Sequence, residues 1–362
     1  MEGLGPAPLA GQLLADLGAE VTLITRKSRA ADPTDINNRG KRSIALNLKS
    51  PEGVEVARRL VARADVLIEG FRPGVMERMG LGPEDFPETP GLIFARMTGW
   101  GQDGPLALTA GHDINYLGLT GFLHAIGRGD DSPPPPLNIG ADYGGGTMFL
   151  IFGILAALYE RQRSGRGQVV DAAMVDGASA LMGLVHTWIA RGHWSERREA
   201  NLLDGGAPFY RTYECKDGGF LAVGPLEPQF FAELVRLAGL PEDHLATQMD
   251  QKSWPERRAA YAMVFASRTR DEWAAIFDGS DACATPVLTW SEAPDHPHLA
   301  ARGTFVAPGG VTQAAPAPRF SRTPPGDVTL PPAPGGDTDA VLAELGYDEG
   351  ALARLRAAGV LT

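Results

Sequence analysis

Residues 51–69 read PEGVEVARRLVARADVLIE, and this stretch predicts a helix that leads directly into a strand. Ser50 precedes Pro51, which is typical of a helix start, because the serine hydroxyl can cap a free N–H and proline fits the first helical position. We expect the helix over 51–64 and the strand over 65–69. One helix-to-strand step of this kind is half of a parallel βαβ unit.

The flanking segments repeat the same alternation. An apolar helix is expected at 8–17, strands at 20–25 and 91–98, and a strand-and-helix unit at 168–190. Alternation of this kind favours a parallel sheet with helices on its faces. The sequence therefore predicts an α/β fold whose larger part is a doubly wound, Rossmann-like domain.

The length of 362 residues, with 44% hydrophobic residues, exceeds what one compact core usually holds. We expect a large domain over 1–190, a linker over 191–209, a small α+β domain over 210–306 and a return to the large domain over 307–362. Within the small domain, the residues around Asp217 and Gly218 alternate in the manner of a hairpin.

The composition excludes several classes of partner. The net charge of −11 disfavours nucleic acid and anionic membrane surfaces, which both require a positive field. The apolar run Met148 to Leu158 is too short to span a bilayer and predicts a buried helix, and the first residues lack a signal pattern. The two cysteines, Cys215 and Cys283, have neither disulfide nor zinc-site spacing, so we expect no metal and a cytoplasmic location.

A basic cluster follows the strand at 20–25. Between residues 26 and 49 the net charge is +5, although the whole chain carries −11. Its basic members are Arg26, Lys27, Arg29, Arg39, Lys41, Arg42 and Lys49. In a doubly wound sheet, ligands bind where strands end, and Arg and Lys suit phosphate groups. A solvated loop that balances acidic neighbours is the open alternative.

A second anion-binding candidate is Gly70-Phe71-Arg72-Pro73-Gly74, together with Arg78. It follows a predicted strand and precedes a helix start, where free N–H groups converge. An ordinary turn between strand and helix would read the same way.

His112 and Asp142 are the candidate catalytic pair. His112 lies in Gly111-His112-Asp113-Ile114-Asn115-Tyr116, where it is expected in the first turn of a helix, and the helix dipole there disfavours imidazolium. Asp142 precedes a glycine triplet, and glycines let a ligand approach the backbone closely. Both residues could equally be plain helix caps.

The motifs that settle the choice are GHDINY at 111–116, NIGADYGGG at 138–146, GQVVDAAMVDG at 167–177 and DGGAPFY at 204–210, supported by LADLGAEV at 14–21 and ADVLIEGFRPGV at 64–75. Together they resemble the α-methylacyl-CoA racemases of the family III CoA-transferase superfamily, and the likeness covers nearly the whole chain. The resemblance implies a coenzyme A-binding large domain and an interlocked homodimer.

The resemblance also implies roles for particular residues. His112 and Asp142 would be catalytic bases on opposite faces of the substrate α-carbon, and Glu227 of the facing subunit would support His112. The implied contacts to the acyl-CoA substrate are Arg26, Leu46, Asn47, Leu48, Lys49, Gly70, Phe71, Arg72, Arg78, Gly111, Asp113, Ile114, Asn115, Tyr116 and Asn138. Coenzyme A belongs to the substrate, and no metal or other cofactor is expected.

The implied reaction is inversion of the α-carbon of a 2-methylacyl-CoA by proton transfer through an enolate, with the backbone N–H of Asp113 facing the enolate oxygen. One alternative is a family III CoA transferase with Asp142 as nucleophile, in which the position of His112 would be non-basic and often aromatic. A second alternative is an acyl-CoA-binding protein without turnover.

Two further expectations concern the N-terminus of the protein and the acyl tail of the substrate. Members of the family begin with a short strand before the segment that matches Glu2 to Pro6, so an early edge strand is expected upstream of this sequence. The acyl tail would lie on a generic apolar surface that includes Met148, Met174 and Met182, which favours a broad substrate range in lipid metabolism.

Overall fold

The computed structural model describes residues 1–362. The helices are α1 (Pro6–Asp16), α2 (Pro51–Val61), α3 (Val75–Arg78), α4 (Asp113–Leu119), α5 (Phe122–Ala125), α6 (Met148–Ser164), α7 (Met174–Leu181), α8 (Gly183–Ala190), α9 (Pro228–Ala238), α10 (Trp254–Phe265), α11 (Arg270–Phe277), α12 (Pro297–Arg302), α13 (Thr338–Glu344) and α14 (Glu349–Ala357).

The strands are β1 (Thr22–Thr25), β2 (Arg42–Ala45), β3 (Val66–Glu69), β4 (Ile93–Thr98), β5 (Val169–Ala173), β6 (Arg211–Glu214), β7 (Phe220–Val223), β8 (Ala284–Pro286), β9 (Phe305–Val306) and β10 (Gln313–Ala314). Five 3-10 turns lie at Ile36–Asn38, Pro83–Asp85, Glu242–Thr247, Ala293–Asp295 and Pro308–Gly310, and a π-helical segment spans Ile139–Thr147.

Helix α2 begins where the sequence predicts it. The Ser50 hydroxyl accepts the Gly53 N–H at 3.0 Å, and Pro51 occupies the first helical position. The amphipathic helix buries Val56 and Ala57 against the core of the first unit, and its last turn carries basic residues that complement the helix dipole. It ends at Val61, three residues earlier than expected.

The parallel strands confirm the α/β class. In the first sheet β1 pairs with β2, and Thr22 lies opposite Arg42. In the second sheet β4 is central, with β3 and β5 on either side, and Phe94 lies opposite Val169. The expected strands are present, whereas β2 was not predicted, because its Arg42-Ser43 start obscures the apolar pattern.

Met1 and Glu2 lie between the two parallel sheets. The Glu2 N–H donates to the Ile24 carbonyl of β1 at 2.8 Å, and the Met1 amino group donates to the Ile68 carbonyl of β3 at 3.1 Å. At this point the chain is flanked by strands of both sheets and does not lie at an outer edge.

The chain forms two compact units. The first comprises residues 1–120, 136–181 and 298–362, and the second comprises 121–135 and 182–297. These bounds differ from the predicted ones, because 121–135 and α8 belong to the second unit. Hydrogen bonds explain part of the difference: the Arg198 side chain donates to the Asp131 carbonyl at 2.5 Å, and His124 Nε2 lies 3.0 Å from the Glu196 carbonyl.

The second unit is an α+β structure built on the antiparallel sheet β6–β7–β8. The predicted hairpin is present, with Gly218 at φ 78° and its N–H donating to the Cys215 carbonyl at 3.0 Å. Its core is an aromatic cluster in which the rings of Phe209 and Trp254 meet edge to face at 5.9 Å. A capping box begins α11, since the Thr269 N–H donates to the Glu272 carboxylate at 2.8 Å and the Glu272 N–H donates to the Thr269 hydroxyl.

The long apolar helix differs from its prediction. The π-helical segment runs directly into α6, giving a helical stretch Ile139–Ser164 of 26 residues, which is long and apolar enough by composition to cross a membrane. The expectation that this element is too short for a bilayer is therefore wrong. Only one side of this helix packs in the core: Leu150 and Ile154 are buried there, and Arg161 donates to the Gly91 carbonyl.

Candidate active site

His112 occupies the N-cap of α4, one residue before the predicted first turn. Its backbone is extended, and its N–H donates to Asn115 Oδ1 at 3.0 Å. The imidazole ring is exposed and makes no capping hydrogen bond. The capping interaction at this helix end therefore comes from Asn115, which leaves the His112 ring available for chemistry.

Helix α4 is held against the end of β4 by Tyr116. The Tyr116 hydroxyl donates to the Gly111 carbonyl at 2.5 Å, and its ring meets Trp100 edge to face at 4.8 Å. A Cβ on Gly99 would lie only 2.1 Å from the Tyr116 ring, so glycine is needed there. This packing fixes His112 near the carboxyl end of a central parallel strand, where α/β proteins bind ligands.

Asp142 lies within the π-helical segment and is partly buried. Burial raises the pKa of its carboxyl above the ordinary value, and the negative charge of Asp113 acts in the same direction. A hydrogen bond from the Asn138 side chain and the charge of His112 lower it. A carboxylate with a raised pKa is a stronger base, and single π-helical turns frequently occur at functional sites.

The segments of His112 and Asp142 are joined by Asp113. Its Oδ2 accepts the backbone N–H groups of Ala141 and Asp142, each at 2.8 Å. His112 and Asp142 therefore belong to one local arrangement in the first unit, although 30 residues of sequence separate them.

The glycine triplet 144–146 has a packing role that the sequence did not predict. A Cβ on Gly145 would lie 2.6 Å from the Ala178 backbone nitrogen, and a Cβ on Gly177 would lie 1.9 Å from the Gly145 carbonyl oxygen. A Cβ on Gly146 would touch Met174 and Met97 side chains. These glycines let α7 pack directly on the segment that carries Asp142, whereas close approach of a ligand to this backbone stays a prediction.

The predicted coenzyme A contacts follow the carboxyl ends of three parallel strands. Arg26 follows β1, Leu46 follows β2 and Gly70 follows β3, and the Leu46 N–H donates to the Thr25 carbonyl at 2.9 Å. Arg26, Lys49, Arg72 and Arg78 are all exposed. The exposed cations therefore stand at the strand ends, where the sequence predicts a phosphate site.

The basic cluster is smaller than the sequence predicts. Arg39 is buried and pairs with Asp16 at 2.6 Å, while its guanidinium also donates to Gln313 and Ala314. Lys41 is buried as well: it donates to the Pro8 carbonyl at 2.9 Å, and burial lowers its pKa to about 8. Arg39 and Lys41 hold the fold together, so their membership in a phosphate-binding surface is wrong.

Leu46 and Asn47 are engaged by the C-terminal return. The Leu46 side chain is 2% exposed and belongs to the core, so it is not available for the predicted contact to coenzyme A, which would have to use the backbone of this residue. The Asn47 N–H donates to the Val360 carbonyl at 2.8 Å. Leu48 is partly buried against the same core, which leaves Lys49 as the exposed side chain of this run.

Sequence reasoning missed the buried groups that shape the turn at 70–74. Glu69 is 1% exposed, and its carboxylate accepts the Phe71 N–H at 2.7 Å and the Arg96 Nε–H at 2.8 Å. Arg96 also bonds Glu77 in α3 at 2.8 Å. The sequence did contain a signal for this ion pair: a glutamate ends one buried strand, and an arginine lies within the next strand. Buried charges need partners of opposite charge, so the two residues could have been paired from the sequence.

Glu227 lies in the second unit at the N-cap of α9, and its side chain is exposed. Burial, and then the charge of the neighbouring Glu227 carboxylate, raise the pKa of the Cys283 thiol. Of the other predicted contacts, Ile114 and Asn115 are exposed, Asn138 is partly exposed and Met174 is buried in the core. No cluster of three His, Cys, Asp or Glu residues is arranged to hold a metal ion.

Comparison with known proteins agrees with this architecture. Residues 1–338 match CoA-transferase family III. The chain is 48% identical to an alpha-methylacyl-CoA racemase of Mus musculus over 96% of its own length and 92% of the relative, and 45% identical to that of Homo sapiens over 96% and 91%. A CAIB/BAIF family protein from Brucella suis has a TM-score of 0.78 at 29% identity, covering 95% of this chain and 97% of that one. The chain therefore belongs to CoA-transferase family III.

Proposed function

We propose that this protein inverts the α-carbon of 2-methylacyl-CoA thioesters by moving a proton from one face to the other. The observation that carries the proposal is the joined arrangement of His112 and Asp142 in the first unit. One is an exposed imidazole and the other is a carboxylate with a raised pKa, and the carboxylate of Asp113 ties their segments together. The alpha-methylacyl-CoA racemases of mouse and human are the relatives that support the substrate class.

Two bases suffice for this reaction. One base removes the α-proton to give an enolate, the other returns a proton to the opposite face, and their roles exchange when the direction reverses. The backbone N–H of Asp113 is the first of α4, where N–H groups lack helical partners, and we assign it to the enolate oxygen. The scheme uses coenzyme A only as part of the substrate and requires no other cofactor.

We assign phosphate binding to the exposed cations at the strand ends. Arg26, Lys49, Arg72 and Arg78 are the side chains available there, and the Glu69–Arg96 pair orders the turn that carries Arg72. Guanidinium groups suit phosphate because they donate two parallel hydrogen bonds. This assignment reconciles an anionic substrate with a chain whose net charge is −11.

We further propose a homodimer in which Glu227 of the partner chain supports His112. Helix α6 carries an apolar stripe of Met148, Phe152, Leu155 and Tyr159, which are all more than half exposed and share one helix face. A contiguous apolar surface of this kind typically marks a protein interface. A second chain that covers this stripe would also explain why the helix is long and apolar. The two free cysteines fit the proposed cytoplasmic location, and the substrate class places the protein in lipid metabolism.

A CoA transferase with Asp142 as nucleophile is the second candidate function. The observation in its favour is the same partly buried carboxylate, which would attack a thioester carbonyl, form a mixed anhydride and release the coenzyme A thiolate. Such an enzyme requires a free acid as acceptor and forms an acyl-enzyme that hydroxylamine traps. It has no use for the exposed imidazole of His112.

The decisive experiment follows deuterium incorporation at the α-carbon of each 2-methylacyl-CoA epimer in heavy water, across a panel of acyl groups. We expect exchange and interconversion without any acid acceptor. Hydroxylamine-sensitive acyl-enzyme, with transfer to an added acid and no exchange, would establish the transferase. Tight binding without either reaction would identify a binding protein.

A further inference from the structure

Asp113 carries a buried carboxylate at the start of α4. It is 5% exposed, and its Oδ2 accepts two backbone N–H groups, from Ala141 and Asp142, at 2.8 Å each. Its Oδ1 is also buried and has no hydrogen-bond partner. The proton-transfer scheme uses only the backbone N–H of this residue, so the side chain is left unexplained by it.

Ordinary helix capping does not explain the Asp113 side chain. A carboxylate in a first helical turn typically faces the free N–H groups of its own helix. The Asp113 carboxylate instead faces the π-helical segment 28 residues further along the chain. Burying a charged group with one oxygen unpaired is unfavourable for stability, and such exceptions often coincide with function.

We propose that Asp113 is a positioning residue, whose buried carboxylate fixes the backbone of Asp142 relative to His112 during proton transfer. The inference rests on the proposed function. Asp113 directly follows His112, and the Asn115 side chain holds the His112 backbone on the same helix. Both candidate bases are thereby anchored to the first turn of α4, His112 by the chain itself and Asp142 through the Asp113 carboxylate.

The Asp113 charge has a second consequence. Burial and then the charge of Asp113 raise the pKa of Asp142, and the charge of His112 lowers it. Tyr116 lies close to the same group, because burial and then the charges of Asp142 and Asp113 raise the pKa of its hydroxyl. Asparagine at position 113 keeps an acceptor oxygen but removes the charge, so the pKa of Asp142 falls. The acid limb of any rate that needs ionised Asp142 then moves to lower pH, and the weaker base reacts more slowly.

The test compares Asp113→Asn and Asp113→Glu with wild type by α-proton exchange in heavy water, for each epimer separately and as a function of pH. The epimer whose exchange depends on Asp142 is identified as the one whose exchange falls about 10³-fold in Asp142→Asn. We expect Asp113→Asn to slow exchange of that epimer about tenfold and exchange of the other epimer less. We also expect it to move the acid limb of the pH–rate profile to lower pH. Asp113→Glu should slow exchange without moving the limb, because the charge remains.

Asp348→Asn is the matched control. The Asp348 carboxylate also accepts a backbone N–H, from Ala351 at 2.7 Å, but it is exposed at the start of α14. Its replacement should leave exchange of both epimers unchanged. The control therefore separates removal of any capping carboxylate from removal of this one.

The outcomes distinguish this inference from the proposed function. Absence of exchange by wild-type protein would overturn the proposed function itself. Wild-type exchange, with Asp113→Asn slowing both epimers equally and leaving the acid limb in place, would overturn only the positioning role. Failure of both Asp113 variants to fold would also overturn it, because the role would then be purely structural.

Discussion

The two segments that carry the candidate bases are built in opposite ways. His112 lies at an N-cap, and its exposed ring makes no hydrogen bond within the first unit. Asp142 lies in the π-helical segment on which α7 packs, and Asn138 and Asp113 act on its carboxyl group. Asp142 is thus tuned within its own chain. The His112 ring makes no such contact within the first unit, and the proposed dimer assigns its support to Glu227 of the partner chain.

The largest expected effects come from removing either base. Asp142→Asn should reduce exchange of one epimer by about 10³-fold, and His112→Ala should do the same for the other, since general bases contribute about 10²–10⁴-fold. Exchange of each epimer in heavy water measures both. Equal residual exchange on the two faces in either variant would contradict the assignment of one base to each face.

The next prediction tests whether Glu227 acts on His112 of its own chain or of the partner chain. Glu227→Gln should slow exchange on the His112 face by about 10–100-fold, because the imidazolium loses a stabilising charge. The variant is then co-expressed with His112→Ala chains carrying a different tag. If Glu227 acts across the dimer, the purified mixed dimer contains one intact site and regains about half of the wild-type rate. If Glu227 acts within its own chain, both sites stay defective.

Replacing an exposed cation should affect substrate binding and leave the chemical step unchanged. Arg72→Ala is expected to raise KM for the acyl-CoA about tenfold with little change in kcat, since a charge-assisted hydrogen bond to phosphate is worth about 1.5–3 kcal/mol. Arg236→Ala is the matched control, as Arg236 is exposed in the second unit and pairs only with Glu233. A fall in kcat at constant KM would argue against a phosphate contact.

The smallest effect concerns the packing behind Asp142. Gly177→Ala would place a Cβ 1.9 Å from the Gly145 carbonyl, so α7 and the π-helical segment must separate, at about 1–3 kcal/mol of stability. We expect a lower Tm and a several-fold loss of exchange confined to the Asp142 face. Gly183→Ala, where a Cβ meets no neighbour within 4 Å, serves as control. An unchanged Tm for Gly177→Ala would refute the close contact.

Local signals predicted the fold well, and contacts between distant residues set the limits. The start of α2 follows from Ser50 and Pro51, and the hairpin follows from Asp217 and Gly218, because each depends on neighbours in sequence. The π-helical geometry could not be foreseen, since it depends on Asp113 and on the contact between Gly145 and Gly177. The burial of Arg39 likewise depends on Asp16 and on residues 313 and 314, far along the chain.

The same limit applies to the candidate site. The motifs identified His112 and Asp142, but not which of them is exposed or how they are connected. Glu69 and Arg96 carried no recognisable motif, although they order the turn beside Arg72. Residue types predict chemistry, whereas the pairing of buried charges depends on three-dimensional neighbours.

The discontinuous first unit has a consequence for synthesis of the protein. Its core unites Ile44 and Phe94 with Val341, Leu342 and Leu352, so this core cannot close until the ribosome has passed residue 352. The second unit draws its core from residues 207–282 and can close earlier. While the second unit folds, β1 to β5 therefore lack the C-terminal helices that complete their core, and apolar side chains of these strands stay exposed. Chaperones would bind the nascent chain during this interval.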